Sequence, residues 1–268
     1  MAHHIDTSDL APNTLRNWIK DFAALPHAGL ADAYLVLGFS GLLPPGEAWP
    51  LAEDAARTAL RLDESLADAH ISLAYVRLFR DWDWESARAS LARALELSTG
   101  AAARQWHGLF LDMEGRIDEA AREIEQAAAL EPLSVVTAAL RGFQLNLAGD
   151  HAREIEQFRA AVELDPNHFV GHWGLGLAYE HAGRLEESVT ALRRAAALAE
   201  GNPILSAVLA RAEALAGRPA EARRILDAID ADPAAARSDY QRAAAEVALG
   251  DREEALRRLE RAADAREP

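Results

Sequence analysis

The sequence contains no cysteine, so the chain forms neither disulfides nor thiolate metal sites. Basic residues are scarce: 28 Lys and Arg stand against 43 Asp and Glu, and the net charge is −15. Such a chain repels polyanions, which argues against nucleic acid or an anionic membrane as its partner. No apolar run reaches the ~18 residues that a membrane helix needs, and no signal-peptide pattern opens the chain. We therefore expect a cytoplasmic protein.

Catalytic motifs are also missing. The stretch Gly174-Leu-Gly176 lies within a predicted helix with no strand before it, so it does not fit a phosphate-binding loop. No Gly-x-Ser-x-Gly nucleophile motif is present. Paired carboxylates such as Glu186 and Glu187 follow a turn, where they complement a helix dipole. We expect neither enzyme activity nor a cofactor.

Nine histidines raise the question of a metal site. His168 and His172 are four residues apart on one predicted helix, a spacing that suits a shared metal ion, but no third ligand is visible beside them. His3 and His4 form a pair that either binds metal weakly or belongs to an added tag. Surface or packing roles explain these residues better, so we expect no metal site.

What the sequence does contain is a repeated segment. Its copies begin at glycines that are 34 or 33 residues apart, at positions 115, 149, 183, 217 and 250. Pro132 and Pro166 keep the same spacing of 34. A period of this length is typical of helical repeat proteins, in which each unit buries its apolar face only against its neighbours.

Each period contains two predicted helices that meet at the glycine. Small residues recur seven positions before it, at 108, 142, 176, 210 and 243. They also recur five positions after it in four copies, at 120, 188, 222 and 255. Small side chains let two antiparallel helices approach closely. The fourth repeat departs from this rule, because Glu154 lies at the position five residues after its glycine. The glycine itself suits a helix end that needs a positive φ.

A 34-residue helix-turn-helix with this pattern resembles the tetratricopeptide repeat, best over residues 178–195. Further copies at 31–65 and 65–98, the latter with a turn one residue longer, bring the number to about seven. The resemblance implies an all-α fold, a right-handed superhelical solenoid over residues 31–268 that ends in a C-terminal capping helix. The Asp-Trp-Asp-Trp turn at 81–84 is similar to C-terminal arrays of bacterial signalling and transcription-regulator proteins.

Residues 1–30 precede the predicted array as a tail and a capping helix. Apolar residues lie on one face of the stretch 11–25, at positions 15, 18, 19, 22 and 25. This helix either caps the open end of the stack or docks in a groove, its own or a partner's. At the other end, we expect a polar outer face on the last helix, formed by Arg257, Arg258, Glu260 and Arg261.

The resemblance also implies a binding face. In tetratricopeptide arrays the first helix of each repeat lines a concave groove, and the matching positions here include several aromatic residues, which are common anchors for a partner's side chains. The expected groove residues are Ile71, Tyr75, Leu78, Phe79, Gln105, Leu109, Asp112, Phe143, Asn146, Trp173, Leu177, Glu180, Arg211 and Tyr240.

The predicted function is a non-enzymatic protein-interaction module that holds a peptide or helix of a partner protein. The Lys and Asn or Arg residues that clamp a peptide carboxylate in chaperone-binding members are missing here. A partly apolar partner that carries Lys or Arg fits the acidic chain better. Two alternatives remain at this point: a scaffold that assembles with itself through the N-terminal helix, and an accessory subunit that presents a peptide substrate to an enzyme.

Overall fold

The structure, a computed structural model, describes residues 12–39, 43–199, 202–231 and 238–265. Side chains are described within these ranges except at residues 12–22, 45 and 265. The described residues form fourteen α-helices and one π-helical turn, with no strand among them, so the all-α prediction is confirmed. They divide into two compact units, residues 12–36 with 48–98, and the described part of 37–47 with 99–265.

The first unit contains four α-helices. The two longest helices of the described chain lie mostly within it, and two shorter helices lie wholly within it. The predicted boundary at residue 30 lies inside one continuous helix, which runs through Pro26, so the capping helix and the first repeat share it. Leu25, expected on its apolar face, is 55% exposed. His3, His4 and the side chains of residues 15–22 lie outside the described residues. The helices are α1 (Pro12–Phe39), α2 (Pro45–Leu62), α3 (Ala67–Val76) and α4 (Trp84–Leu97).

The second unit contains five helix pairs, which correspond to the five predicted repeats of this region. Within each repeat the two helices pack together, and the second helix of one repeat contacts the first helix of the next. The helices are α5 (Ala101–Met113), α6 (Ile117–Leu130), α7 (Val135–Leu147), α8 (His151–Leu164), α9 (Phe169–His181), α10 (Leu185–Leu198), α11 (Pro203–Leu215), α12 (Pro219–Ala231), α13 (Asp239–Leu249) and α14 (Arg252–Ala265).

The turn between the two helices of each repeat in the second unit depends on its glycine. All five glycines have a positive φ, between 73° and 83°, as the sequence predicts. The residue after each glycine donates its backbone N–H to the carbonyl oxygen five positions back, as Asp150 does to Leu145 at 2.9 Å. This bond satisfies a carbonyl that the end of the helix would otherwise leave without a partner.

The second repeat makes its longer turn without glycine. The extra residue is accommodated by the π-helical turn Arg77–Asp81, which follows α3 directly. Trp82 takes the left-handed conformation, with a φ of 55°, and Asp83 donates its N–H to the carbonyl oxygen of Arg77 at 3.1 Å. This bond spans six positions, one more than in the glycine turns, and it closes a turn whose backbone conformation is costly for a non-glycine residue.

The small residues of the first helices face one bulky residue on the second helix. Those bulky residues are themselves 34 positions apart, are almost fully buried, and are Ile124, Phe158, Leu192 and Leu226. A methyl group added at Gly142 would lie 2.6 Å from the Phe158 ring. Gly174, on the first helix of the next repeat, also contacts this ring. Phe158 thus fills the space that two glycines leave and joins α7, α8 and α9.

The last helix differs from its predicted role in one respect. Arg258 was expected on the polar outer face, but it is only 5% exposed and points into the structure. Its guanidinium lies 2.9 Å from Asp230 and 3.4 Å from Asp239, so a buried cation is neutralised by two carboxylates. Arg257 and Glu260 are exposed, as predicted.

Substitution of Gly142 by alanine should lower the unfolding free energy by about 1–3 kcal/mol, because the added methyl group overlaps the Phe158 ring. Urea unfolding followed by circular dichroism measures the change. Gly29→Ala is the matched control: it also lies within a helix, but nothing is within 4 Å of the added methyl group. The control should stabilise the chain slightly, since alanine is the better helix former. Equal effects of the two substitutions would contradict the packing role of Gly142.

Candidate functional site

One pocket of the second unit collects side chains from the first helices of four successive repeats. Its volume is about 290 Å³. We call it the α7–α13 pocket, after the helices at its two ends. Its lining residues are Phe143, Asn146, Glu154, Trp173, Leu177, His181, Val208, Arg211, Tyr240, Gln241 and Ala244.

Aromatic rings form one wall of this pocket. The rings of Phe143 and Trp173 meet edge to face, with centroids 5.7 Å apart, and Phe143 also packs on the core ring of Phe158 at 5.1 Å. This packing fixes the position of Trp173. Its indole Nε1 is buried and has no hydrogen-bond partner in the described part of the chain. Tyr240, from α13, is 56% exposed.

The charged groups around the pocket are paired. Arg211 lies 3.1 Å from Glu180, and this ion pair joins α11 to α9. Glu154 is 1% exposed and contacts His151 and His181. The pairing leaves the second oxygen of Glu180 and the Nε of Arg211 buried without a partner among the described residues. Acidic groups and buried polar atoms therefore lie in and beside the pocket.

Six of the fourteen predicted groove residues line this pocket: Phe143, Asn146, Trp173, Leu177, Arg211 and Tyr240. Glu180 lies beside it through its ion pair with Arg211. Sequence reasoning missed Val208 and Gln241, whose residue types carry no signal of their own. It noticed Glu154 only as an exception to the small-residue rule.

The four residues predicted from the second repeat do not form an open groove. Ile71, Tyr75 and Leu78 are each less than 5% exposed, so the prediction is wrong for them. Phe79 is half-buried; its ring centroid lies 5.9 Å from that of Trp49, on which it stacks, and 5.8 Å from that of Tyr75. The aromatic rings of α2 and α3 are used to pack the first unit.

The residues predicted from the third repeat are engaged between repeats. Gln105 donates a hydrogen bond to the hydroxyl oxygen of Thr137 at 2.6 Å. Gln144 donates to the carboxylate of Asp112. Burial raises the pKa of Asp112, because its charged form is partly removed from water, and the bond from Gln144 offsets only part of this effect. Leu109 is half-buried beside them.

The histidine pair singled out in the sequence does not converge on a common point. His172 Nε2 lies 2.9 Å from the carbonyl oxygen of Pro166, and the ring of His168 stacks on Phe169. Both therefore have packing or hydrogen-bonding contacts of their own.

Two larger depressions, of about 380 and 440 Å³, lie on the second unit beside α7 and α8. Arg141 lines both of them and forms an ion pair with Glu125 at 2.8 Å. No aromatic side chain lines either depression. They lack the anchors that the α7–α13 pocket offers.

Comparison with known proteins agrees with this architecture. Residues 171–202, which cover most of α9 and all of α10, match the tetratricopeptide repeat. The chain carries a tetratricopeptide repeat at these residues. No curated protein matches it in sequence. The narrower likeness to arrays of bacterial signalling and transcription-regulator proteins stays a prediction. Within the described ranges, no helix has the length and apolar character needed to cross a membrane.

Solved structures extend the likeness beyond one repeat. PilF of Pseudomonas aeruginosa covers 76% of this tetratricopeptide chain and 92% of its own, at 20% identity and a TM-score of 0.51. PilW, a type IV pilus biogenesis factor, covers 78% and 93%, at 16% identity and 0.56. Human IFIT1, a dimer with m7Gppp-AAAA, covers 82% and 55%, at 14% identity and 0.66. At these identities the likeness concerns the fold.

Asp112→Asn should raise the melting temperature of the tetratricopeptide chain at pH 7 by about 1–2 °C. The pKa of Asp112 is raised in the folded state, so its contribution to stability is complete below the ordinary value of 3.8 and is lost as pH rises through the raised value. The neutral amide avoids this loss. Thermal unfolding at several pH values measures the difference, which should vanish near pH 3. A gain that does not depend on pH would contradict this explanation.

Proposed function

We propose that the chain is a non-enzymatic interaction module that binds a peptide or helix of a partner protein in the α7–α13 pocket. The observation that carries the proposal is the convergence of Phe143, Trp173 and Tyr240, which come from three repeats, on one pocket. Large rings held by their own packing lose little conformational freedom on binding, which makes them good anchors.

The indole of Trp173 supports an apolar side chain as the occupant. Its Nε1 is buried, so the ring offers the pocket its apolar surface and not a hydrogen-bond donor. A bound segment therefore places apolar side chains against Trp173, Phe143 and Leu177.

The chemistry of the partner follows from the rest of the lining. Leu177, Val208 and Ala244 are apolar, and they favour aliphatic side chains. The net charge of −15 attracts a segment that carries Lys or Arg, and steering of this kind weakens as salt is added. The preferred ligand is a short segment with aliphatic residues and at least one basic residue.

The pairing of charges supports binding rather than catalysis. Glu180 is held by Arg211, and Glu154 is held by two histidines, so neither carboxylate faces the pocket as an isolated acid or base. An accessory role, in which the pocket presents a peptide to a separate enzyme, needs the same binding step.

Peptides selected on the full chain from a phage-displayed random library should bind more weakly to two pocket variants. Trp173→Phe keeps a ring but reduces the apolar contact area, and it should weaken binding about 3–10-fold. Tyr240→Ala, at an exposed position, should weaken it about 10-fold without loss of stability. Fluorescence anisotropy of the selected peptides measures both dissociation constants.

Trp82→Ala is the matched control, since this exposed tryptophan belongs to the first unit and does not line the pocket. It should leave peptide affinity unchanged. Selected peptides that bind both pocket variants as tightly as the original chain would show that another surface is used. The expected enrichment of Lys and Arg in the selected peptides checks the charge argument separately.

A further inference from the structure

Glu154 occupies a place that the other repeats reserve for a small side chain. The corresponding residues, Ala120, Ser188, Ala222 and Ala255, are at most 3% exposed. Glu154 is buried to the same degree, with 1% exposure, yet it carries a carboxylate. Within the described ranges no Lys or Arg pairs with it, in contrast to buried Glu213, which is held by Arg193 and Arg218. A buried carboxylate without a cation is costly unless other groups compensate its charge.

Two imidazole nitrogens take the place of that cation. His151 precedes Glu154 by three residues on α8, so the two side chains share one helix face. His151 Nδ1 lies 3.0 Å from one carboxylate oxygen, and Nδ1 of His181, the last residue of α9, lies 3.3 Å from the other. The two rings lie side by side, with centroids 5.5 Å apart. One ligand atom from each of the three residues falls within 4.8 Å of the others.

These separations suit a metal ion. Bonds of about 2.0–2.2 Å from zinc to nitrogen and oxygen, in a tetrahedral arrangement, place neighbouring ligand atoms about 3.3–3.5 Å apart. The nitrogen–oxygen distances of 3.0 and 3.3 Å involve the two different oxygens of Glu154, and one ligand atom from each residue lies within 4.8 Å of the others, so a small rotation of the carboxylate and the two rings brings the three groups to these separations. Two imidazoles and one carboxylate form a donor set that prefers zinc-type ions over Mg²⁺ or Ca²⁺, which favour oxygen ligands.

We propose that His151, Glu154 and His181 bind a divalent transition metal ion of the zinc class. The site departs from the sequence-based expectation of no metal, and it stands independently of peptide binding. The ion supplies the positive charge that the buried carboxylate lacks. It also ties the start of α8 to the end of α9 and so connects the fourth and fifth repeats.

The surroundings of the three ligands leave one side of the ion accessible. The side chains of His151 and His181 are 41% and 34% exposed, whereas Glu154 forms the floor of the site. Glu154 and His181 both line the α7–α13 pocket. Three protein ligands would leave a fourth tetrahedral position for water or for a donor atom of another molecule.

Asn146 orients the site from α7. Its amide nitrogen lies 2.7 Å from His181 Nδ1 and 3.4 Å from the Glu154 carboxylate. Metal binding requires the lone pair of His181 Nδ1, so the amide must then turn toward the carboxylate. Asn146 is a positioning residue, and residues of this kind contribute about 10–100-fold to metal affinity.

Calorimetric titration of ZnCl₂ into the full chain tests the site. Because His3 and His4 can also bind metal, the titration uses a chain with His3→Ala and His4→Ala. This chain should bind one zinc ion, and excess Mg²⁺ should not compete. Glu154→Gln keeps the shape of the side chain but removes its charge, and it should weaken zinc binding at least about 100-fold, more than the loss of a positioning residue. His172→Ala is the matched control and should leave affinity unchanged.

A second variant and a second measurement keep the test decisive if Glu154→Gln disturbs folding. His181→Ala, at an exposed helix end, should keep the helical circular dichroism and lose zinc binding to a similar extent. Co²⁺ in place of zinc should give the absorption bands of a tetrahedral nitrogen and oxygen site, and His181→Ala should abolish them. Zinc binding that persists in both variants, or that disappears with His3→Ala and His4→Ala alone, overturns the proposal.

Discussion

The close approach of helices at side chains too small to keep them apart is the constraint on which the array depends. Phe158 shows it most clearly, because its ring occupies space left by Gly142 on one helix and Gly174 on another. One buried ring thus settles the packing within a repeat and between repeats. A single helix pair cannot bury its own apolar face, so the repeats are stable only when they pack against one another. The α7–α13 pocket is a consequence of this packing, for it forms where successive first helices lie side by side.

The sequence predicts this packing well because the rule is local and periodic. The turn glycines, the small residues and the seven helix pairs all follow from spacing, and the structure agrees. The sequence fails to predict the exposure of a side chain where contacts with its neighbours, and not its position in the repeat, determine it. Tyr75 occupies a position that faces the groove in the family pattern, yet it is fully buried and packs on Phe79, which in turn stacks on Trp49. The sequence predicts Arg258 at the surface, but in the structure it is buried and forms ion pairs with Asp230 and Asp239.

The candidate sites likewise divide into one that repeat spacing predicts and one that depends on individual side-chain contacts. Phe143, Trp173 and Tyr240 are predicted because their positions within the repeat are enough to bring them together. Repeat spacing does not predict the group of His151, Glu154 and His181. The first two are close in sequence on α8, but His181 comes from the next repeat, and the repeat pattern does not indicate that it lies beside them. The signal was nevertheless present in the sequence. Glu154 breaks a packing rule that four other repeats obey, and a charged residue at a buried small-residue position indicates a compensating partner.

The glycine turns carry one more consequence, which concerns handedness. At Gly149 the backbone has a φ of 75°, and nothing lies within 4 Å of the place where a side chain would begin. The obstacle to an ordinary residue there is therefore chirality and not lack of room. A D-alanine, installed by chemical ligation, is the mirror-image building block for which this backbone angle is natural. It would match the backbone angle of the turn and restrict the unfolded chain, so these repeats offer five places where an inverted stereocentre suits the backbone conformation.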